Sequence, residues 1–139
     1  VVHVAYSILD QRMAGQVLPV ASKRGVGVIN RSVFLKGALT SLRYKLPQPG
    51  LGLLAENAGK VNRLARLYNM SLEELALKFV LMDDAISTSL IGTNNPNHLQ
   101  EAINHTNERG LSQFMIGELR NFAINDPNQV DPAKWPKLA

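Results

Sequence analysis

The sequence predicts an α/β protein with a parallel sheet, and the order of its segments carries the prediction. Two short β-branched segments are separated by one helical segment, and a third follows after two longer helical segments. Strands that alternate with helices are typical of parallel sheets, whose faces the helices cover. We therefore expect three parallel strands with flanking helices, and ligand-binding residues at the carboxyl ends of the strands.

The first strand lies at the start of the chain. Its apolar side chains alternate with other residues, which is the period of a strand. A turn follows over residues 10–15, and a helix is expected over 17–24, because Pro19 is tolerated only in a first turn and Gly25 suits a helix end. The next segment, GVGVINRS, has the composition of a strand buried on both faces. The alternating residues of the first strand are Val2, Val4, Tyr6 and Ile8.

A long irregular segment separates the second strand from the next helix. Gly37, Pro47, Pro49 and Gly50 interrupt regular structure between residues 32 and 51, and loops of this length are usually functional or disordered. Beyond it, apolar side chains recur at helical spacing up to a stop at Asn69. They are Leu54, Ala58, Val61, Leu64, Ala65 and Tyr68.

The following helix begins with a capping box. Ser71 precedes Glu74 by three residues, a spacing that lets both side chains satisfy backbone N–H groups at a helix start. A third strand is predicted over 87–91, and Gly92 ends it. The apolar stripe of the helix consists of Leu72, Leu75, Ala76, Phe79 and Met82.

Two more helices and a tail complete the pattern. Asn95 followed by Pro96 predicts an N-cap with proline in the first helical position, and Ser112 predicts the start of a last helix. We expect one domain over 1–125 and, because of its prolines, an irregular tail over 126–139. The apolar faces are Leu99, Ala102 and Ile103 in the first of these helices, and Ile116, Leu119 and Ala123 in the last.

The composition excludes several classes of function. The 139 residues are 45% hydrophobic, enough for the core of one domain, and contain no cysteine, which excludes disulfides and thiol chemistry. No apolar run approaches the roughly 20 residues that span a bilayer, and neither a signal peptide nor a metal-ligand spacing is recognisable. The sequence predicts a soluble, cytoplasmic protein without membrane association or bound metal.

The net charge of +4 comes from 15 basic and 11 acidic residues. The basic residues are scattered, without the dense run or interleaved aromatic residues of nucleic-acid surfaces. We therefore expect no nucleic-acid partner, whereas a nucleotide phosphate is compatible with so small an excess of positive charge.

The segments at the expected strand ends resemble the aldo-keto reductase family. HVAYSILDQRM is similar to its sixth barrel strand, VGVINRSVFLKGALT to its seventh strand and loop, and SLIGTNNPNHLQEAI to its eighth strand and the helix behind it. DPAKW is similar to the family's tail, and RSVFLKG is the most specific stretch. The order and spacing match over almost the whole chain. The resemblance implies a partial TIM-type (β/α) barrel, comprising strands six to eight.

The resemblance also implies what the chain lacks. The family's catalytic Asp, Tyr, Lys and His lie on the first five strands, so no catalytic residue is assigned and the chain alone is expected to be inactive. None of His3, His98 and His105 matches the catalytic His. His3 stands where the family usually has a Gln that bonds the nicotinamide carboxamide.

What remains resembles the family's binding site for NADP or NAD. Arg31 stands where many members stack an aromatic ring on the nicotinamide, and a guanidinium plane also stacks. Backbone N–H groups, a cation and a helix N-terminus would offset the charge of the phosphates. The matching residues are Tyr6 and His3 in the sixth strand, Ser32, Phe34, Leu35 and Lys36 along the pyrophosphate, Gly92, Thr93 and Asn94 at the adenosine phosphate, and His98 and Glu101 near the ribose phosphate and adenine.

Simpler alternatives stand beside these assignments. Ser32 also fits a strand end, and Lys36 a solvated loop. His98 and Glu101 also fit the exposed face of a helix. The family often carries a Lys or Arg for the 2′-phosphate and an Asn after the Glu. This chain has Gly92, His98 and Ala102 at these places, so the choice between NADP and NAD stays open.

Tyr6 and the Asp83–Asp84 pair have structural explanations. Tyr6 is expected in the core or a pocket wall rather than as a catalytic acid, since no lysine stands nearby to lower its pKa. Asp83 and Asp84 fit the loop after a helix better than a metal site.

A partial barrel leaves outer strands and one sheet face uncovered. We therefore expect a homo-oligomer or a complementary N-terminal barrel part as partner. The chain is then the cofactor-binding part of an NAD(P)-dependent reductase of carbonyl compounds, or a non-catalytic nucleotide-binding or assembly module. RSVFLKG favours the first function, while His3 and Ala102, at two expected contacts, favour the second.

Overall fold

The fold is built on a three-stranded parallel sheet, which the computed structural model describes together with its helices over residues 1–47 and 49–137. The strand order is β1-β2-β3, and both pairings are parallel. The predicted α/β class is therefore confirmed. The described strands and helices are β1 Val2–Ala5, α1 Leu18–Lys23, β2 Val28–Arg31, α2 Gly52–Leu67, α3 Leu72–Leu81, β3 Thr88–Ser89, α4 Pro96–Asn107, α5 Gln113–Arg120 and α6 Pro127–Val130.

Helices connect the strands in two crossovers. Helix α1 joins β1 to β2, and its end lies where it was predicted, because Gly25 takes a φ of 63° that suits glycine. Helices α2 and α3 lead from β2 to β3 and meet at Asn69, which has a φ of 57°. Since both pairings are parallel, the carboxyl ends of all three strands point to the same edge of the sheet.

The predicted helix starts are confirmed. Ser71 Oγ accepts a hydrogen bond from the N–H of Glu74 at 3.0 Å, and Ser112 Oγ accepts one from Met115 at 3.2 Å. Asn95 Oδ1 accepts one from the N–H of Asn97 at 3.0 Å. Each cap is a contact between near neighbours in the chain, which explains why the sequence alone predicts it.

The core lies between the sheet and the helices. Phe79 of α3 packs against Tyr6 beyond β1, with ring centroids 5.6 Å apart, and Leu75 and Leu119 are fully buried. The predicted stripe of α3 is confirmed except at Met82, which is only partly buried.

The third strand and the helix after it differ from the prediction. Strand β3 is two residues long, although N–H bonds from Ser87 to Val28 and from Leu90 to Asn30 extend its pairing with β2. Helix α4 buries only Ala102, while Leu99 and Ile103 are 50% and 47% exposed. The predicted apolar face is thus present in the sequence, but no element in the described ranges covers it.

The tail is more regular than predicted. Asp126 Oδ1 caps α6 through the N–H of Asn128 at 2.9 Å, and a 3₁₀ turn follows over Pro132–Lys134. Val130 and Trp135 are buried in the core. Proline at the first helical position favours a helix start rather than irregular chain, which is the physical reason for the correction. The domain boundary at residue 125 stays a prediction.

None of the helices in the described ranges combines the length and the apolarity needed to cross a bilayer.

Candidate functional site

The carboxyl ends of the three strands are tied together by one side chain. Asn30 Nδ2 donates to the backbone oxygen of Tyr6 at 3.1 Å and lies 3.3 Å from Ser89 Oγ. Asn30 is fully buried, and within the described residues its Oδ1 has no hydrogen-bond partner. The three predicted ligand-binding segments therefore start from adjacent, fixed points on one edge of the sheet.

The two faces of the sheet have different environments. The face that carries Val4, Val28 and Asn30 is buried against the helices. On the opposite face His3 and Arg31 are exposed, and Leu90, beyond β3, is 52% exposed. Strand periodicity thus places His3 and Arg31 on the uncovered face.

The Tyr6 ring lies on the helix side of the sheet. It is 3% exposed and stacks on Phe79 with 29° between the ring planes. Burial raises the pKa of the phenol to about 12, with the charge of Asp83 adding to the shift and that of Arg120 opposing it. The ring therefore lies in the core, one of the two positions expected for Tyr6 from the sequence.

The loop after β2 has an unusual backbone. Leu35, Lys36 and Gly37 take consecutive positive φ angles of 44°, 51° and 95°, and Ser32 has a φ of 65°. Left-handed conformations of non-glycine residues cost about 1–2 kcal/mol each, and such strain concentrates at ligand-binding positions. Phe34 is partly buried in the core beneath this loop.

The strain is held in place by packing and by short-range hydrogen bonds. Leu35 is 1% exposed, so its side chain fixes the loop while the Lys36 side chain is exposed to solvent. The N–H of Leu35 bonds to Ser32 O at 2.9 Å, and that of Gly37 bonds to Phe34 O at 3.0 Å. Among the described residues, the backbone N–H groups at positions 33, 34 and 36 have no hydrogen-bond acceptor. Phe34 is partly buried and Lys36 is exposed, whereas Val33 is only 1% exposed, so positions 34 and 36 are the ones near solvent.

The segment after β3 forms a local polar network at the start of α4. Thr93 Oγ1 lies 3.3 Å from His98 Nδ1, and Asn95 Nδ2 lies 3.3 Å from His98 Nε2. The imidazole is thus oriented from both sides. Asn95 also accepts hydrogen bonds from the N–H groups of Asn97 and His98. An anion at the start of α4 would therefore interact mainly with the helix dipole rather than with these two amides.

Gly92, Asn94 and Glu101 are exposed beside this network. The pairing of β2 with β3 brings residues 92–94 to the same edge of the sheet as the loop 32–37. Glu101, one turn further along α4 than His98, has no ion-pair partner among the described residues.

A charge cluster joins α3 to the end of α4. The Lys78 side chain is only 6% exposed, and its ammonium lies 2.6 Å from Glu74 Oε1 and 3.0 Å from Glu108 Oε2. His105 Nδ1 lies 3.1 Å from Glu108 Oε2. The glutamates and the histidine have ligand atoms within 4.8 Å of one another, but the lysine already fills the cationic position between the carboxylates. The cluster is a structural link between two helices.

Sequence reasoning did not assign this cluster, although the spacing of Glu74 and Lys78 is the familiar i, i+4 pair. The Asp83–Asp84 pair behaves as predicted for a loop after a helix. Asp83 Oδ1 accepts a hydrogen bond from the N–H of Ala85 at 3.0 Å, which closes a turn.

Comparison with known proteins identifies the family. The model of the aldo/keto reductase family matches residues 1–124. The chain belongs to the aldo-keto reductase family. The pyridoxal 4-dehydrogenase of Microbacterium luteolum is 32% identical over 104 residues, which are 70% of this chain and 30% of that protein.

Solved structures of the family share the fold. An aldo-keto reductase of Bacillus halodurans superimposes in its apo form with a TM-score of 0.71 and 23% identity, over 91% of this chain and 44% of that one. The glycerol dehydrogenase of Gluconobacter oxydans gives the same TM-score at 16% identity, over 94% of this chain and 42% of that one. The chain spans less than half the length of these barrels, which confirms the predicted partial (β/α) barrel.

Proposed function

We propose that the chain is the cofactor-binding part of an NAD(P)-dependent aldo-keto reductase, which reduces carbonyl compounds when the barrel is complete. The observation that carries the proposal is the convergence of the strained loop 32–37 and the segment 92–98 at one edge of the sheet. The N–H groups at positions 34 and 36, which have no acceptor among the described residues, and the exposed side chain of Lys36 suit a pyrophosphate. The holo form of the Bacillus halodurans reductase, which shares the fold with a TM-score of 0.71, supports this assignment.

Arg31 and His3 fit the nicotinamide end of such a cofactor. Both side chains extend from the uncovered face of the sheet, which faces the interior in a closed barrel. The Arg31 guanidinium, 3.4 Å from Ser32 Oγ, offers a plane on which a nicotinamide ring would stack. The nicotinamide, when bound, supplies the hydride.

The proton for the carbonyl oxygen comes from elsewhere in this proposal. Tyr6, which follows β1 at this edge, is buried, and burial raises its pKa to about 12, so the phenol keeps its proton at neutral pH. A general acid must reach its substrate and titrate nearer to the working pH. Catalytic residues would therefore come from the remainder of the barrel.

Titration of the protein with NADPH and NADH, followed by cofactor fluorescence, tests the proposal. We expect saturable binding with a dissociation constant on the order of micromolar, weakened about five- to tenfold by Lys36→Ala, the scale of one charge-assisted hydrogen bond. His98→Ala should weaken NADPH more than NADH, if the oriented imidazole meets the 2′-phosphate.

Lys23→Ala is the matched control. Lys23 is an exposed lysine at the end of α1, where the chain approaches the amino end of β2, on the side of the sheet away from the proposed site. Equal losses from Lys23→Ala and Lys36→Ala would reveal unspecific charge attraction. A folded protein that binds neither nucleotide would overturn the proposal.

We further propose that the uncovered face is closed by a partner, either a complementary N-terminal barrel part or a second copy of the chain. Leu90 beyond β3 and Leu99 and Ile103 on α4 are each about half exposed. Within residues 1–47 and 49–137, the outer strands β1 and β3 each pair along one edge only. Apolar surface next to open strand edges favours association. This observation also favours the second candidate function, a non-catalytic assembly module.

Sedimentation analysis of the purified protein tests the partner proposal. We expect an oligomer that Leu90→Arg and Ile103→Arg dissociate, while Leu67→Arg has no effect, since Leu67 is 78% exposed on α2, outside this surface. A monomer at all concentrations would contradict the second copy. A monomer that also captures no separately produced N-terminal barrel part would contradict both partners.

A further inference from the structure

A cleft lies between the loop after β2 and the C-terminal segment. We call it the tail cleft; Leu42, Leu46 and Trp135 supply its apolar lining, and Lys36, Lys45 and Lys137 supply its charge. Its volume of about 520 Å³ lies within the usual range for small-ligand sites. The tail cleft shares Lys36 and Gly37 with the loop 32–37 of the proposed dinucleotide site.

The charge of the tail cleft is of one sign. Lys36, Lys45 and Lys137 are exposed, and no aspartate or glutamate is among the described residues that line it. Within residues 1–47 and 49–137, none of the three lysines belongs to an ion pair. The Lys45 ammonium lies 5.8 Å from the centre of the Tyr44 ring, a cation–π contact that does not neutralise its charge. Three like charges around one concavity attract an anion.

The apolar lining favours an organic anion over an inorganic one. Leu42 is 51% exposed beside the cleft, while Leu46 and Trp135 are nearly buried beneath it. An exposed leucine next to cations can pack against a flat hydrocarbon or aromatic body whose charged group reaches the lysines. A fully hydrated ion such as inorganic phosphate would leave this apolar surface unused.

The walls of the cleft are fixed by hydrogen bonds that span the fold. Gln129 Oε1 accepts from the N–H of Leu54 at 3.0 Å, and Gln129 Nε2 donates to Gly50 O at 2.6 Å. Trp135 Nε1 donates to Gln129 O at 2.9 Å. These bonds hold the C-terminal segment against the start of α2, so the cleft exists before a ligand arrives. A preformed site loses less free energy to ordering upon binding.

We propose that the tail cleft binds a planar organic anion, an aromatic carboxylate or phosphate monoester, through Lys45 and Lys137. The apolar body of the ligand packs on Leu42 and the exposed edge of Trp135. Lys45 and Lys137 lie outside the residues proposed for the cofactor, so variants of these two lysines test the tail cleft separately from the dinucleotide site.

Trp135 provides the measurement, since it is the one tryptophan of the chain. Benzoate, phenyl phosphate and the neutral benzamide are titrated in the absence of dinucleotide, while the tryptophan fluorescence is followed. We expect saturable changes with both anions, with dissociation constants on the order of 1 mM for such small ligands, and binding of benzamide about tenfold weaker. Inorganic phosphate should bind more weakly than phenyl phosphate.

Variants assign the site. Lys45→Ala and Lys137→Ala should each weaken benzoate about three- to tenfold, the scale of a charge-assisted hydrogen bond. Lys134→Ala is the matched control, because Lys134 is exposed on the same segment but does not line the cleft.

Three results would overturn the inference: benzamide binding as tightly as benzoate, unchanged affinity in both lysine variants, or no saturable change in the folded protein. Loss of NADPH binding together with retained benzoate binding would count against the proposed function alone. The reverse result would count against the tail cleft alone.

Discussion

The side-chain amide of Asn30 donates a hydrogen bond to the backbone oxygen of Tyr6, and this contact fixes β1 to β2 at the end where the proposed site begins. Asn30 is fully buried, and the bond is 3.1 Å long. A buried carbonyl oxygen that is left without a hydrogen-bond donor lowers the stability of the fold by about 1–3 kcal/mol. The amide is therefore part of the support of the site, although it lies on the helix side of the sheet.

Asn30→Asp should destabilise the protein more than Asn30→Leu does. Leucine removes the donor at a cost of about 1–3 kcal/mol, whereas aspartate would also place a carboxylate in the core, facing the Tyr6 oxygen. Ser89→Ala is the milder comparison, expected to cost about 0.5–1.5 kcal/mol, because Ser89 is only partly buried. Urea unfolding measures all three. Equal stability of the aspartate and leucine variants would show that the side chain escapes to solvent.

In the loop after β2, the effect of backbone strain on stability and the effect of positive charge on nucleotide binding can be tested separately at Lys36. Lys36 has a φ of 51° and a ψ of 39°, which glycine adopts without strain and alanine does not. We expect Lys36→Gly to be more stable than Lys36→Ala by about 1 kcal/mol, while both weaken NADPH by the same factor, since both remove the ammonium. Thermal unfolding and nucleotide titration of the two variants check this. Equal stabilities would contradict a strained loop.

The local features of the fold follow from the sequence, and the long-range ones do not. Ser71, Asn95 and Ser112 were predicted as caps because a cap joins residues two or three positions apart. Asp126 and Pro127 carry the same signal as Asn95 and Pro96, so the helical turn of the tail was predictable as well. Residue types that favour one backbone conformation give the most dependable information in this chain.

The candidate site was predictable only as a set of segments. Alternate residues of a strand point to the same face, so Tyr6 lies with Val4 on the helix side of the sheet. The same rule places His3 on the opposite face. By contrast, Lys78 and Glu108 are thirty residues apart in the sequence, so no local sequence pattern predicts their contact. The exposure of Leu99 and Ile103 depends on which elements pack beside α4. An amphipathic pattern predicts an apolar face but not whether another element covers it.

Tyr6 and Tyr68 should both ionise late in an alkaline titration. Burial, followed by the charge of Asp83, raises the pKa of Tyr6 to about 12. Burial, followed by the hydrogen bond with Glu118, raises that of Tyr68 to about 12. Tyr6→Phe and Tyr68→Phe should each remove one step of the absorbance change near that pH. A Tyr6→Phe variant with an unchanged step near pH 12 would contradict the buried ring.

The Lys78 cluster gives stability a defined pH window. Burial lowers the pKa of Lys78, but its hydrogen bonds with Glu74 and Glu108 outweigh burial and raise it above 10.5. Hydrogen bonds from His105 and Lys78 lower the pKa of Glu108 below 4.5. A raised lysine pKa stabilises the fold below 10.5 and ceases to do so as the pH rises through the folded pKa. A lowered glutamate pKa stabilises it above 4.5 and ceases to do so as the pH falls through the folded pKa.

Lys78→Met should therefore destabilise the protein most between about pH 5 and pH 10, by about 1–3 kcal/mol, because two carboxylates lose their shared cation beside the core. This loss of stability should become smaller below and above this range. In the parent protein Glu108 becomes neutral at low pH and Lys78 becomes neutral at high pH, so the ion pair is absent there as well. Lys60→Met is the control, since the Lys60–Glu56 pair on α2 is exposed and such pairs contribute little. Unfolding free energies measured across pH for the parent protein and both variants decide the matter. A loss from Lys78→Met that does not vary with pH would show that the methylenes of Lys78, rather than its charge, hold α3 against α4.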